Sequence, residues 1–395
     1  MRFIKVVRAS FQDLPLRHVA VFSAVLLAAA PACAAERAAY VGVIDAGSSG
    51  SRLSVYKYGA DEHTLEDVVE LSTVAQPLAS HTAAPDIAGD KAIGPLIGAL
   101  DRELAERRIA KTDMEIHVLA TGGMRLLPAP VAQGIQASVT RTLREGGYRP
   151  GRVETISGEM EGFYAWLDVN VLLGQLGPGK APVGIVEIGG ASVQAAYAGA
   201  PASAPGVVTA SFAGETYSVR SVSFLGLGIE QARKTLLENG DGAPCYPEGR
   251  ASAMPERNGA RGAFDADRCA SAISRIVEAP TRSLPKDEVR NVRFLGLGKP
   301  LTGVLADWNL ADDKGASLKA TAREKCLAPW SEFTRAHGDT RYTPYLCVNS
   351  VYLSTLLFDA RGLGLAPAQV VAADSIAGRR PAWTRGAALM IRAAP

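Results

Sequence analysis

Two short segments bring together the residue types that handle a multiply charged anion. Asp45-Ala-Gly-Ser-Ser-Gly-Ser-Arg52 holds Gly47, Ser48, Ser49, Gly50, Ser51 and Arg52 behind a carboxylate, and Glu187-Ile-Gly-Gly-Ala-Ser-Val-Gln194 holds Gly189, Gly190, Ala191, Ser192 and Gln194 behind another. A polyphosphate needs backbone N–H groups that can approach closely, together with hydroxyl and guanidinium donors; glycine and serine give that access. A single glycine-serine turn mostly connects strands, so the weight rests on the pair. Each carboxylate ends an apolar run, where an unpaired charge is costly unless it faces a cation or a polar cleft. A magnesium or calcium ion, which keeps several waters and bridges phosphate oxygens, suits Asp45 and Glu187. Either carboxylate could instead simply accept N–H bonds from its turn.

Hydrolysis would also need a base for water. Glu159 and Glu161 follow Ser157-Gly158, in the first turn of an expected helix. An acidic residue there can merely complement the helix dipole, for about 0.3–1 kcal/mol. Spacing alone leaves the two glutamates open.

The elements that must position these groups follow from apolar periodicity. Tyr40–Asp45 is expected to be a strand, Ala46–Gly50 a turn and Arg52–Tyr58 an alternating second strand. Further on, the pattern predicts a helix over Ala88–Arg108 interrupted at Gly94-Pro95, a strand over Glu115–Leu119 ending at Thr121-Gly-Gly-Met, and a helix over Ala132–Glu145. Val153–Ile156 is expected to be a strand, Ser157 an N-cap and Glu159–Leu173 a helix. After a glycine- and proline-rich break at Gly174–Pro182, Val183-Gly-Ile-Val-Glu187-Ile-Gly189 matches Val41-Gly-Val-Ile-Asp45-Ala-Gly47 position by position. One unit therefore occurs twice, which predicts two lobes of related topology. Val222-Ser-Phe-Leu-Gly-Leu-Gly228 and Val292-Arg-Phe-Leu-Gly-Leu-Gly298 are expected to be strands closed by glycine turns, the first leading into a helix at Ile229–Leu237. Gly240–Asp265 is expected to be an irregular loop, Val370–Ala373 a strand and Trp383–Arg392 a terminal helix.

At 395 residues, 47% hydrophobic and 21% charged, the chain can bury a large core. Arg2, Lys5, Arg8 and Arg17, the apolar stretch Val19–Ala30 and the small residues Ala32-Cys33-Ala34 predict a signal peptide over residues 1–34, too short in its apolar run to span a membrane. Four of the 42 basic residues and one of the 40 acidic ones lie in that leader, so the remaining chain is close to neutral. Nothing in it suggests a nucleic-acid or anionic-membrane surface. Cys33 leaves with the leader, and the other four cysteines allow three pairings, of which the shortest loops give Cys245–Cys269 and Cys326–Cys347. Zinc is disfavoured because no two cysteines stand at ligand spacing.

In order along the chain, these motifs resemble the apyrase family of nucleoside triphosphate diphosphohydrolases, and the match covers most of the mature sequence. Asp45–Arg52 looks like the family's first conserved region, Ala120-Thr-Gly-Gly-Met-Arg-Leu-Leu127 like the second and Ile156-Ser-Gly-Glu-Met-Glu-Gly-Phe-Tyr-Ala-Trp166 like the third. Val186–Gln194 looks like the fourth, with Phe224–Arg233 and Trp383–Ala387 similar to later segments. The resemblance implies an α/β, two-lobed fold shared with actin and the sugar kinases (RNase H-like), with the nucleotide in the interlobe cleft. It places lobe I at 35–160 plus about 376–395, and lobe II at 161–375. Together with the leader, it implies a soluble, exported bacterial hydrolase, periplasmic or secreted; the resemblance itself implies action on nucleoside tri- or diphosphates without a phosphoenzyme. The catalytic base would be Glu161, with Ser192 and Gln194 orienting water. Ser48, Ser49 and Arg52 would contact phosphate, Thr121 and Arg125 would line the cleft, and Asp45 and Glu187 would hold the waters of Mg2+ or Ca2+. Tyr345 and Tyr352, near Cys347, are candidates to stack on the base; a helical Tyr352 packed in the core is the competing expectation.

The sequence departs from the family pattern at Glu187, where aspartate is usual, at Val193, where threonine is, and at Gly123, where alanine is common. Glutamate would carry its carboxylate about 1 Å further toward the metal. Two other readings compete: an exopolyphosphatase of the same superfamily, distinguished by its action on long-chain polyphosphate, and a catalytically silent nucleotide-binding protein.

Overall fold

Alternating and continuous apolar runs close into two mixed sheets. The computed structural model describes residues 39–60, 64–72, 76–249, 262–310, 317–340 and 342–393. The expected leader, residues 1–34, and part of the expected 240–265 loop lie outside them. The first sheet contains β1 (Tyr40–Ala46), β2 (Ser51–Tyr58), β3 (Leu65–Ser72), β4 (Met114–Ala120) and β5 (Arg149–Thr155), in the order β3-β2-β1-β4-β5. The second contains β6 (Gly184–Ile188), β7 (Ser192–Ala198), β8 (Val207–Phe212), β9 (Glu215–Leu225), β10 (Phe294–Leu297) and β11 (Val370–Ala372), in the order β11-β10-β6-β7-β9-β8.

With β8 set aside at its edge, the second sheet repeats the first in order and direction. β1 runs antiparallel to β2 and parallel to β4, and β6 runs antiparallel to β7 and parallel to β10. The registers agree as well: Asp45 faces Arg52 across one hairpin and Glu187 faces Gln194 across the other. Both turns close with the same bond, Gly47 N–H to Gly50 O at 3.0 Å and Gly189 N–H to Ser192 O at 3.1 Å.

The strands' twofold alternation sorts their side chains between layers. Ile44 and Ala46 of β1 join a core with the Gly94–Arg107 and Ala129–Glu145 helices, while Val41 and Val43 face the opposite way. There they meet the Gly158–Leu172 and Trp383–Ala393 helices and, from the second sheet, Ile185, Ala196 and Val219. Val186 and Ile188 of β6 turn to a third core, shared with the Ala266–Thr281 and Leu346–Phe358 helices. The Gly158–Leu172 helix therefore lies between sheets and is apolar nearly all round, as a buried helix must be.

That helix starts where its cap predicts: the Ser157 hydroxyl accepts the Met160 N–H at 3.2 Å. The terminal helix lies directly against it, since a Cβ at Gly386 would fall 2.0 Å from Tyr164 O. A buried ion pair fastens the two, Arg385 Nη1 to Asp168 Oδ1 at 2.7 Å, with the Ala382 N–H donating to Asp168 Oδ2 at 2.7 Å. The break expected at Gly94-Pro95 has a local cause: a π turn, Gly89–Ile93, precedes the α-helix and places Pro95 in its first turn, where the missing N–H is harmless. Cys245–Cys269 and Cys326–Cys347 are disulfide-bonded, with Cα–Cα separations of 4.9 and 6.0 Å. Among the described residues no helix is long and apolar enough to cross a membrane.

Candidate active site

Strand alternation puts the chemistry on one face. Asp45 shares its parity with Val41 and Val43, Glu187 with Ile185, and Gln194 and Ser192 with Ala196, so all are directed to the layer between the sheets. Glu161 enters the same layer from the first turn of the Gly158–Leu172 helix.

Glu161 closes a four-membered ring of hydrogen bonds. Arg125 Nη2 donates to Glu161 Oε2 at 2.7 Å and to Ser192 Oγ at 3.0 Å. Gln194 Nε2 donates to Ser192 Oγ at 2.8 Å and to Glu161 Oε2 at 3.1 Å. Glu159 takes no part in the ring. Burial pushes the Glu161 carboxyl up to about 7; Arg125 opposes the shift and the Asp45 charge adds to it.

Asp45 and Glu187 are short of partners. Asp45 Oδ1 and Glu187 Oε2 are buried with no hydrogen bond, although the Trp383 side chain bonds the Asp45 carboxylate. Burial raises Asp45 to about 6 against Arg52 and Trp383. Glu187 is pushed well above its usual range by burial first, and then by the charges of Glu161 and Asp45. Orphaned carboxylate oxygens that repel one another fit a divalent cation. Among the described residues no group of three or more His, Cys, Asp or Glu converges as a cage, so an ion here would draw its remaining ligands from water and substrate.

Glycines bring the loops together. A Cβ at Gly190 would lie 2.4 Å from Ser48 Oγ, and one at Gly122 would lie 2.9 Å from Ser192 Oγ. The two glycine-serine turns and the Thr121 turn thus converge, with the buried Thr121 donating its N–H to Ala46 O at 3.3 Å. Within the first loop Ser48 is half-buried, Ser49 is exposed, and Ser51 is buried with its Oγ unbonded. Arg52 reaches toward Glu70, 3.5 Å away.

The peptide planes of the second loop are set by the Ile229–Glu238 helix. Its first amides are spent on the loop: Ile229 N–H on Gly189 O at 2.9 Å, and Glu230 and Gln231 N–H on Gly190 O at 3.0 and 3.1 Å. Gly228 permits this approach, because a Cβ there would stand 2.2 Å from Ala191 N. We therefore expect Gly228→Ala to displace the loop and raise the KM for a phosphate substrate about tenfold, a loss near 1.4 kcal/mol of binding, measurable by steady-state kinetics. An unchanged KM would show that the loop does not hold the substrate.

The two tyrosines differ. Tyr345 is half-buried with the Arg233 guanidinium 4.2 Å from its ring centroid, and Arg233 Nη1 donates to Asn349 Oδ1 at 2.9 Å. Tyr352 is 2% exposed, belongs to the core and donates its hydroxyl to Leu227 O, so it offers no ring face to a ligand. Sequence reasoning missed Trp383 as a partner of Asp45, and Ser223, whose Oγ lies 3.2 Å from Gln194 Nε2. The signal for Ser223 was its place in the repeated Val222–Gly228 segment, and that for Trp383 its place in a segment similar to a later one of the family.

A family model described as the GDA1/CD39 (nucleoside phosphatase) family matches residues 32–394. Probable apyrase 3 of Arabidopsis thaliana is 29% identical over 373 residues, covering 82% of this chain and 76% of the relative. A guanosine-diphosphatase of Schizosaccharomyces pombe is 33% identical over 211 residues, covering 50% and 37%. Among solved structures, nucleoside triphosphate hydrolase from Neospora caninum superposes with a TM-score of 0.63 at 16% identity, covering 89% of this chain and 92% of that one. A Ppx/GppA protein of Aquifex aeolicus gives 0.52 at 16%, covering 89% and 97%. The structural likenesses show the shared actin-like α/β fold, and the family match over nearly the whole length decides the rest: this chain belongs to the GDA1/CD39 nucleoside phosphatase family, as an acid-anhydride hydrolase.

Proposed function

We propose that the chain is an exported, divalent-metal-dependent hydrolase of nucleoside tri- and diphosphates that releases phosphate by direct attack of water, with Glu161 as the base. The observation that carries this reading is the ring joining Glu161, Arg125, Ser192 and Gln194 between the two loops. A buried carboxyl near neutrality is suited to take a proton from water. Ser192 and Gln194 orient that water. Its oxygen bonds to the terminal phosphorus as its proton passes to Glu161, and the anhydride P–O bond breaks to free the shortened nucleotide. The backbone of Gly47–Ser51 and Gly189–Ala191, with Ser48, Ser49, Arg52, Thr121 and Arg125, binds the phosphates.

Asp45 and Glu187 would hold Mg2+ or Ca2+ through waters, and the ion would supply charge neutralisation of the phosphate oxygens. The lobes are taken as 35–160 with about 376–395, and 161–375, with the nucleotide in the cleft and Tyr345 beside its base. Export is supported by the leader-like N-terminus and by two disulfides.

Phosphate release from ATP, ADP and long-chain polyphosphate, each with magnesium or calcium, tests the proposal; turnover of polyphosphate alone would refute it. We further expect Glu187→Asp to retain activity within about tenfold, since it withdraws the carboxylate by about 1 Å, and to change the ratio of magnesium- to calcium-supported rates. Near-total loss would show that Glu187 has another role.

A further inference from the structure

The ring around Glu161 leaves one hydrogen-bond acceptor over. Arg125 Nη2 carries two hydrogens and meets two oxygens, Glu161 Oε2 and Ser192 Oγ. Gln194 Nε2 also carries two hydrogens but meets three oxygens: Ser192 Oγ at 2.8 Å, Glu161 Oε2 at 3.1 Å and Ser223 Oγ at 3.2 Å. Ser223 belongs to Val222–Gly228, a segment whose sequence suggests only a strand and a glycine turn.

Its position is fixed from two sides. Ser223 on β9 is the direct cross-strand partner of Gln194 on β7. Above it lies the start of the base-bearing helix, where a Cβ at Gly158 would come within 2.0 Å of Ser223 Oγ. Gly162, one turn on, covers Ser221 in the same way, at 2.4 Å. Two glycines one turn apart thus seat the helix on two serines of one strand, which brings Glu161 within bonding distance of Gln194.

A carboxylate that is to accept a proton from water must turn a lone pair toward that water. Glu161 Oε2 already accepts from both Arg125 and Gln194. The weaker of these by length is the Gln194 bond, and Gln194 is the partner with somewhere else to go. We infer that Ser223 is a positioning residue for the hydrolytic step: it takes the Gln194 hydrogen released from Glu161, keeping the carboxamide beside Ser192 while Glu161 turns to water. In this role Ser223 acts through Gln194, which it meets at 3.2 Å. The inference rests on the reading of Gln194 as the group that orients the attacking water.

The test is a double-mutant cycle on the full chain, with phosphate release from ATP under magnesium and thermal unfolding to check the fold. Ser223→Ala should lower kcat about tenfold, the scale of one hydrogen bond, and leave KM within twofold. Ser223→Cys, whose sulfur accepts weakly, should fall between wild type and alanine. Gln194→Ala should lower kcat at least as far, and adding Ser223→Ala to it should change little further. Full kcat in Ser223→Ala beside an impaired Gln194→Ala would overturn the inference while leaving the hydrolase reading intact. Losses that multiply in the double variant would overturn it too, because Ser223 would then act independently of Gln194. If Gln194→Ala keeps the wild-type rate, the role of Gln194 falls and the inference with it. Absence of wild-type turnover would instead sink the proposed function.

Discussion

Glu161→Gln should lower kcat for ATP and ADP by about 10²–10⁴-fold, the contribution expected of a placed general base, and should leave the protein folded. The amide keeps an oxygen that can accept from Arg125 and from Gln194, so the ring loses its basicity more than its geometry. Removing the charge also relieves the repulsion that Glu161 exerts on Glu187. The sign with pH follows from the raised carboxyl, up to about 7 from an ordinary 4.5. The folded state retains a proton that the unfolded chain loses, so this group's contribution to stability is present below about 4.5 and is lost as pH rises through about 7. Over that interval the glutamine variant should gain in melting temperature relative to wild type. Catalysis runs the other way, because only the carboxylate can take the proton: wild-type kcat/KM should rise with pH along a limb centred near 7. Phosphate release across pH, beside melting curves of both proteins, measures both effects. A variant that keeps the wild-type rate would remove Glu161 from the mechanism.

Arg385→Met should destabilise the fold by about 3–5 kcal/mol, the cost of stranding one member of a buried ion pair. Arg385 and Asp168 have side-chain exposures of 6% and 0%, and without the guanidinium Asp168 keeps only the Ala382 N–H. Burial raises the Asp168 carboxyl to about 6 against Arg385, which still leaves it ionised at neutral pH. Asp168→Asn should cost less, because Arg385 also reaches Asp67 at 3.1 Å, a carboxylate that water can share. Replacing both, with Asp168→Leu and Arg385→Met, should recover much of the loss, since an apolar pair needs no desolvated charge. The pair fastens the terminal helix to the helix of Glu161, and Trp383, two residues before Arg385, bonds Asp45. Activity should therefore fall with stability in Arg385→Met. Denaturant titration of the three variants gives the energies; a shift below about 1 kcal/mol for Arg385→Met would mean that the pair does not hold the helices together.

The repeat Val41–Gly47 and Val183–Gly189 made two related sheets legible, because the same strand, carboxylate and glycine turn recur position by position. Ser157 marked its helix start by cap chemistry, and the 158–172 helix was found to within a residue at each end. Less was legible elsewhere. The helices between 266 and 358 and the strands β3 and β8 carry no motif, and they follow from packing against sheets that must already exist.

Reading along the chain was enough to single out the residues that could do the chemistry: the two carboxylate-led loops, Glu161 or its neighbour Glu159 as a base, and the four cysteines that pair. Residue type and local spacing are enough for that, since donors, acceptors and turn conformations are local properties. Which of them meet depends on the folded chain. It buried Tyr352 behind Leu227, left Tyr345 under Arg233, joined Arg125 to Glu161 across 36 residues and carried Trp383 back to Asp45. Those pairings depend on strand parity, sheet order and glycine-sized approaches between distant segments, and the same long-range packing raises the Asp45, Glu161 and Glu187 carboxyls by withdrawing them from water.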